Sequence, residues 1–234
     1  MRFPALAILL VLCGGLATGC SKGISRGTAA TVLSVKGTVV FGSAEQNNFQ
    51  PVTLKSPIHD GNTVRTRDGA SIDLALIPAA LAQVSGNSEI KIEQLRIVKD
   101  GNQTDGGMRD RSARIQLSQG KITVLFSRSD KSASQFFINS RQVTINADSD
   151  CLFRVLTDNT TTRITCVRGK IYASAGAQPP VIIGAGYFQQ WPSTHPEPVA
   201  AADDETAQID ITDSLEIGNR WRELRAGWQN RLPF

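Results

Sequence analysis

The chain has 234 residues, of which 41% are hydrophobic and 20% charged, and its formal net charge is +4. This length suits one domain with short appendages. The basic residues are scattered among acidic ones and do not form the basic stripe with interleaved aromatic residues that a nucleic-acid interface has. We therefore expect no nucleic-acid partner. We predict that the densest basic cluster, residues 108–114, lies in a loop.

The N-terminus has the pattern of an export signal. Arg2 supplies a positive charge, and residues 5–13 are an unbroken apolar run that is too short to cross a bilayer, which takes about 20 residues. The following LATGC, which ends at Cys20, resembles the lipobox of bacterial lipoproteins, whose cysteine is acylated. We predict that residues 1–19 are removed and that lipid on Cys20 holds the protein to the membrane. An ordinary secretory signal cut nearby is the alternative.

The residue after the lipidated cysteine predicts the location. Ser21 takes the place where, in enteric-type bacteria, an aspartate resembles the signal for retention in the inner membrane. Serine there favours the outer membrane, on its periplasmic side. Residues 20–30 are small and polar, and we predict that they form a tether.

From residue 31 to residue 191 the hydrophobic pattern has a period of two. Short runs such as SIDLAL and EIKIE alternate apolar and polar residues, as half-buried strands do. Asp-Gly steps such as Asp60-Gly61 and Asp68-Gly69 separate the runs and indicate tight turns. Many short strands at close spacing predict an all-β fold, an antiparallel β-sandwich or barrel-like body.

The stretch DCLFRVLTDNTTTRITC predicts a β-hairpin that contains two cysteines. A turn centred on Asp158 and Asn159 would place Cys151 opposite Cys166 across the ladder. We predict a disulfide between them, which would close a loop of about 15 residues and contribute about 3 kcal/mol in an oxidising compartment. Two buried, reduced cysteines are the alternative.

The strand pattern ends at Trp191, and a linker and one helix follow. Residues 192–208 are rich in proline and then acidic, which is typical of a linker. We predict an amphipathic helix over residues 209–234, capped by Asp213, with one apolar stripe. The stripe consists of Ile217, Trp221, Leu224 and Trp228. It would pack on the β body of its own chain, on a partner protein or on the membrane surface.

The order of strands and glycines between residues 31 and 191 resembles the FecR-type periplasmic domain. The motif positions that carry the resemblance are Gly61, Thr66, Gly69, Ala70, Ser88, Gly120, Gly169 and Gly186. The resemblance implies an envelope-side module that recognises proteins through strands or exposed sheet edges. The best-known members cross the inner membrane and control a sigma factor from a cytoplasmic segment. We expect neither feature here, and therefore no direct signal to the cytoplasm.

No catalytic or metal-binding pattern stands out. The two histidines, His59 in a predicted turn and His195 in the linker, are isolated, whereas metal sites need clustered ligands. We predict a non-catalytic protein with no cofactor and no metal, whose partner is an envelope protein or a cell-wall component. The alternative function is a polysaccharide hydrolase or lyase, in which two carboxylates would meet only in the folded chain.

Overall fold

The computed structural model describes residues 24–77, 80–99, 108–128 and 134–229. Just over half of this part of the chain is in β-strands, and one α-helix, α1 (Glu205–Gln229), follows them. The first strands are β1 (Ile24–Gly27), β2 (Thr31–Lys36), β3 (Val39–Gly42), β4 (Gln50–Pro51), β5 (Thr63–Thr66), β6 (Ser71–Ile77), β7 (Ala80–Ser85), β8 (Ser88–Lys99) and β9 (Met108–Phe126). The remaining strands are β10 (Gln135–Asn139), β11 (Thr144–Ala147), β12 (Cys151–Thr157), β13 (Thr162–Arg168), β14 (Lys170–Ser174), β15 (Val181–Gly184), β16 (Tyr187–Trp191) and β17 (Val199–Ala200).

These strands form two sheets that share β9. Sheet 1 has the order β4-β3-β5-β8-β9-β10-β11-β14-β15, and β1 pairs with the far end of β8. Sheet 2 has the order β2-β6-β7-β9-β12-β13-β16-β17. The pairings are antiparallel except between β9 and β10, which run parallel. The predicted all-β body with one C-terminal helix is confirmed.

The inner faces of the two sheets enclose one hydrophobic core. Alternate residues of the longer strands point inward and are buried, as a two-sheet packing requires. Phe136 of sheet 1 lies between Phe126 and Phe153 of sheet 2, and each pair of ring centroids is 6.4 Å apart. Arg111 and its neighbours belong to β9, so the loop predicted for residues 108–114 is wrong.

Strand β9 passes from one sheet to the other at Gly120. Up to Gln119 it pairs with β8 of sheet 1, and from Ile122 it pairs with β7 of sheet 2. Gly120 has a φ of +93°, and a Cβ there would lie 2.1 Å from Ser88 Oγ. Only glycine fits such an approach without strain.

Three positions of the sequence motif meet at this crossing. The backbone N–H of Ser88 donates to Thr66 Oγ1 over 3.0 Å, and the backbone N–H of Lys121 donates to Ser88 Oγ over 2.8 Å. Thr66 Oγ1 also donates to the carbonyl oxygen of Ser85 over 2.8 Å. Thr66, Ser88 and Gly120 therefore join β5, the β7–β8 turn and β9.

The β12–β13 hairpin exists, but its register differs from the prediction. Thr157 pairs with Thr162 and Phe153 with Cys166, so the turn contains four residues, 158–161. The Asp158 carboxylate accepts the backbone N–H groups of Thr160 and Thr161 over 2.7 and 2.6 Å. These hydrogen bonds lower the pKa of Asp158 to about 2.

The new register moves the two cysteines out of opposition. Both thiols are buried and free, so the predicted disulfide is not formed, and the facing geometry on which it was predicted is wrong. Burial raises the pKa of Cys166 to about 12 and raises the pKa of Cys151 as well. Such thiols are poor nucleophiles, because the thiolate is the reactive form.

Two predicted boundaries also change. The tether predicted for residues 20–30 contains β1, which pairs with β8. The linker predicted for residues 192–208 contains β17 and a 3-10 turn, Ala201–Asp203, and α1 already begins at Glu205. Asp204, not Asp213, caps the helix, since its Oδ1 accepts the backbone N–H of Ala207 over 2.8 Å.

We predict that Gly120→Ala lowers the free energy of unfolding by more than the 1–3 kcal/mol or so expected from a positive φ alone. The reason is the additional clash with Ser88, and urea denaturation measures the loss. Gly186→Ala is the matched control, because Gly186 has a φ of +83° with open space where a Cβ would lie. Equal losses in the two variants would show that the crossing tolerates a side chain.

Candidate docking site at the helix–sheet junction

Helix α1 crosses the outer face of sheet 2. At its start Asp204 pairs with Arg163 of β13, and near its end Trp221 packs with Leu33 of β2. The five steps between these strands span about 24 Å, and the 20 residues from Glu205 to Leu224 span about 30 Å. The helix therefore covers this part of the sheet and reaches its β2 edge.

A row of polar side chains lies under the helix. Six adjacent strands contribute one residue each, in direct cross-strand register. In strand order these are Ser34, Asp73, Gln83, Thr123, Arg154 and Thr165. Ser34 Oγ donates to Asp73 Oδ2 over 2.6 Å, Gln83 Nε2 donates to Asp73 Oδ1 over 2.9 Å, and Arg154 Nε donates to Thr123 Oγ1 over 3.0 Å.

The positive member of the row binds two carboxylates of the helix. Arg154 Nη1 lies 3.1 Å from Asp210 Oδ1 and 2.8 Å from Asp213 Oδ2. The side chains of Arg154 and Asp210 are almost fully buried, with 2% and 5% exposed. Asp210 Oδ2 also accepts a long hydrogen bond from Thr165 Oγ1, at 3.4 Å. A buried charge needs such partners.

The negative member of the row binds the helix further along, toward the β2 edge. Arg220 Nη2 donates to both oxygens of Asp73, over 3.1 and 3.0 Å, and the Asp73 side chain is only 3% exposed. Acids of α1 thus lie over the arginine of the sheet, and the arginine of α1 lies over the acid of the sheet. A reversed helix would bring like charges together, so these pairs favour a single direction of docking.

The predicted apolar stripe is buried in the same chain as far as Trp221. Ile217 and Trp221 are 7% and 0% exposed and pack with Leu81, while Leu33, Ala75 and Leu125 surround them. Of the three alternatives for the stripe, packing on its own β body is the one observed for these two residues. Leu224 is 41% exposed, and the side chain of Trp228 lies outside the described residues.

An apolar cavity opens beside the last described part of the stripe. Its volume is about 460 Å³, and it lies between α1, the β2 edge and the ends of β6, β7 and β8. Its lining includes Leu33, Ile77, Leu81, Ile97, Trp221 and Leu224. The buried Nε1 of Trp221 has no hydrogen-bond partner in the described part of the chain. The site offers a mainly apolar surface, to which Thr28 and Thr31 add hydroxyl groups.

A second, more polar pocket of about 290 Å³ lies at the other end of the helix. Arg163, Gln189, His195 and Asp204 are among its lining residues. The carboxylate of Asp204 is engaged there. Burial acts to raise its pKa, but the Ala207 backbone N–H and the Arg163 guanidinium outweigh it and hold the pKa below its usual value. This carboxylate is a helix cap and an ion-pair partner.

The described residues do not bring metal ligands together. No group of three or more histidine, cysteine, aspartate or glutamate side chains lies close enough to hold a metal ion in this part of the chain. His195 lies in the polar pocket and His59 is exposed in the turn before β5. Cys20 lies outside the described residues.

The fold described above and a match to one protein family define the class of this domain. The structure is a two-sheet β module with a helix docked across one face, and its motif residues hold the shared strand. Residues 62–172 match the family described as "FecR protein". The resemblance, predicted for residues 31–191, is confirmed for this segment, which is a FecR domain. Across the described residues, no helix has the length and apolar character that a membrane span requires.

Two solved structures are similar to part of this chain, at low sequence identity. Two crystal structures, at 1.65 Å and 2.50 Å resolution, come from a candidate anti-sigma factor of Parabacteroides distasonis ATCC 8503. They have 11% and 12% sequence identity to this chain and a TM-score of 0.41 each, and 58% of this chain is covered. The overlap spans 57% of each of those chains, well under two thirds of their length. No curated protein matches the sequence.

We predict that Arg154→Ala lowers the free energy of unfolding by about 3–5 kcal/mol, because it leaves buried Asp210 without its cation. Urea denaturation at neutral pH measures the change. Arg222→Ala is the control. Arg222 is exposed on α1, the helix that carries Asp210, and a loss within about 0.5 kcal/mol is expected there. A loss at Arg154 no larger than at Arg222 would contradict the ion-pair account.

Proposed function

We propose that the protein is a non-catalytic, lipid-anchored module of the bacterial cell envelope, with a signalling, sensing or scaffold role. The observation that carries the proposal is the FecR domain over residues 62–172, since FecR proteins are associated with the envelope and imply protein partners. The predicted signal and the LATGC motif support attachment through lipid on Cys20, at the periplasmic side of the outer membrane.

The start of β1 limits the distance between the body and the membrane. Ile24 is already paired with Lys99 of β8. Three residues lie between Cys20 and Ile24, and the four residue-to-residue steps of an extended chain reach about 14 Å at most. A lipid on Cys20 would therefore hold the β body close to the membrane surface.

The partner we propose is an envelope protein that inserts an apolar side chain beside α1. The cavity between α1 and the β2 edge is apolar, and Leu224 at its rim is exposed. It lies beside an edge strand, since β2 pairs on one side with β6 and has no second strand partner in the described residues. An apolar pocket next to an open strand suits recognition of an extended segment.

No observation favours the alternative of a polysaccharide hydrolase or lyase. That chemistry needs two carboxylates that face each other across a cleft. The most buried carboxylates of the described residues, those of Asp73 and Asp210, are instead bound to arginines.

We expect Cys20→Ser to move the protein from the membrane fraction to the soluble fraction, because the acylated thiol is lost. Fractionation of cells followed by immunoblotting measures the distribution. Cys13→Ser is the matched control, since Cys13 lies in the predicted signal and its loss should leave the protein in the membrane fraction. Membrane partitioning of Cys20→Ser equal to that of the unmodified protein would contradict lipid attachment.

We expect a photoreactive phenylalanine at position 224 to form a crosslink to another protein in intact cells. Leu224 lines the cavity, and the crosslinked product is identified by mass spectrometry. Ile209 is the control position, because it is 53% exposed on the same helix and is not among the lining residues of this cavity. Crosslinks confined to the chain itself, or equal yields at both positions, would refute a partner at this site.

A further inference from the structure

The outer face of sheet 1 carries a second cross-strand row, and no described helix covers it. Six adjacent strands, β8, β9, β10, β11, β14 and β15, contribute one residue each in direct register. In strand order these are Gln94, Arg114, Phe137, Asn146, Tyr172 and Ile182. We call this set the aromatic row. Arg114 and Ile182 are exposed, and the two rings are half-buried.

A wholly polar row runs beside it. The next register row on the same face consists of Lys91, Gln116, Asn139, Thr144 and Ser174. It lies two residues along β9, β10, β11 and β14, and three along β8, where a bulge adds one residue. Amides and hydroxyls both donate and accept hydrogen bonds. The face therefore combines rings with closely spaced donors and acceptors over several strands. A protein-binding face of this size would be expected to have a more apolar centre.

Cations lie on the rings of the aromatic row. The Arg114 guanidinium carbon is 4.9 Å from the centroid of the Phe137 ring, and Lys170 Nζ is 5.6 Å from that of Tyr172. A hydrogen bond to Tyr172 and, to a smaller extent, the negative charge of Asp148 raise the pKa of Lys170. The attraction between a cation and the face of an aromatic ring holds these side chains in place without a carboxylate.

Two arginines of this face lack a carboxylate within ion-pair distance among the described residues. Arg96 pairs with Ser112 and Arg114 with Gln94, so the two arginines are diagonal neighbours on adjacent strands. Their like charges repel. Elsewhere on the same face two cations are paired, Arg65 with Glu89 at 2.8 Å and Lys91 with Glu45 at 3.6 Å. The nearby Glu93 instead accepts a hydrogen bond from Asn139 Nδ2 over 2.8 Å.

We propose that this face binds an extended polysaccharide that bears carboxylate groups. A carboxylate would lie between Arg96 and Arg114, where two guanidinium groups supply donors of matching geometry. Sugar rings would follow the aromatic row toward Tyr172, and their hydroxyls would bond to the amides and hydroxyls of the polar row. Phe137 and Tyr172 lie two strands apart, about 9.5 Å, so the contacts repeat along the ligand.

The test uses the purified protein, with polygalacturonate as the probe, in native gels that contain increasing amounts of the polymer. Polygalacturonate should retard the protein, whereas a neutral galactan should retard it much less. Arg114→Ala should weaken binding about tenfold or more, since it removes a charge-assisted contact. Tyr172→Ala should weaken binding as well.

Matched controls lie away from the proposed face. Arg222→Ala makes the same charge change on α1, and Phe188→Ala removes a half-buried ring of sheet 2 that packs on the Arg163 guanidinium. Both should bind as the unmodified protein does. Unchanged far-UV circular dichroism and melting temperature in all four variants would confirm that the fold is intact.

Any of the following three outcomes would overturn the proposal. Absence of retardation would exclude an acidic glycan ligand. Equal retardation by polyglutamate would show that charge alone, or an acidic polypeptide, is recognised. Retained binding in both Arg114→Ala and Tyr172→Ala would place any site elsewhere. The inference goes beyond the partner site at Leu224, and the two tests can succeed or fail separately, because they probe different sheets.

Discussion

The architecture depends on one strand that serves two sheets. Strand β9 can leave β8 and join β7 only if its backbone approaches Ser88 closely, and Gly120 allows this approach by having no Cβ. The hydrogen bonds of Thr66 and Ser88 then satisfy backbone groups at the point where ladder pairing changes, as buried polar groups require. Since β9 fixes how the sheets face each other, the enclosed core and both outer faces follow from this crossing.

Helix α1 owes its place to side-chain chemistry more than to its own propensity. A glycine in a helix interior costs about 1 kcal/mol relative to alanine, and Gly218 is such a residue. A Cβ at Gly218 would lie 3.1 Å from Leu152 Cδ2, so the glycine lets the helix approach β12. The buried pair of Arg154 and Asp210 then specifies position and direction. A buried pair adds little net stability over an apolar isostere but strongly penalises any arrangement that separates it.

The sequence predicted the class of fold, the hairpin and the apolar stripe, because each depends on local periodicity. The predicted hairpin register was wrong by two residues. The Asp158 carboxylate accepts hydrogen bonds from two backbone N–H groups, and these stabilise a turn longer than the one predicted from the Asp-Asn step. The sequence analysis also missed the Arg154 site. The available signal was an arginine in the apolar run CLFRVL together with Asp210 and Asp213 three residues apart on a helix. Which strand would meet which helical turn depends on long-range pairing, which local patterns do not encode.

The two outer faces differ in whether the charged side chains of their cross-strand rows have partners of opposite charge in the same chain. Under α1, each charge of the sheet 2 row meets an opposite charge of the same chain, so that face is complete without a ligand. On sheet 1 the corresponding row has rings and cations, and Arg96 and Arg114 have no acidic partner among the described residues. Solvent can hydrate such a face, so exposure alone implies nothing. What distinguishes it is that two like charges lie together, whereas Arg65 and Lys91 of the same face each have a carboxylate partner. An anionic ligand would remove that repulsion, and on this physical ground the bare face, and not the covered one, is where recognition of a charged polymer is favoured.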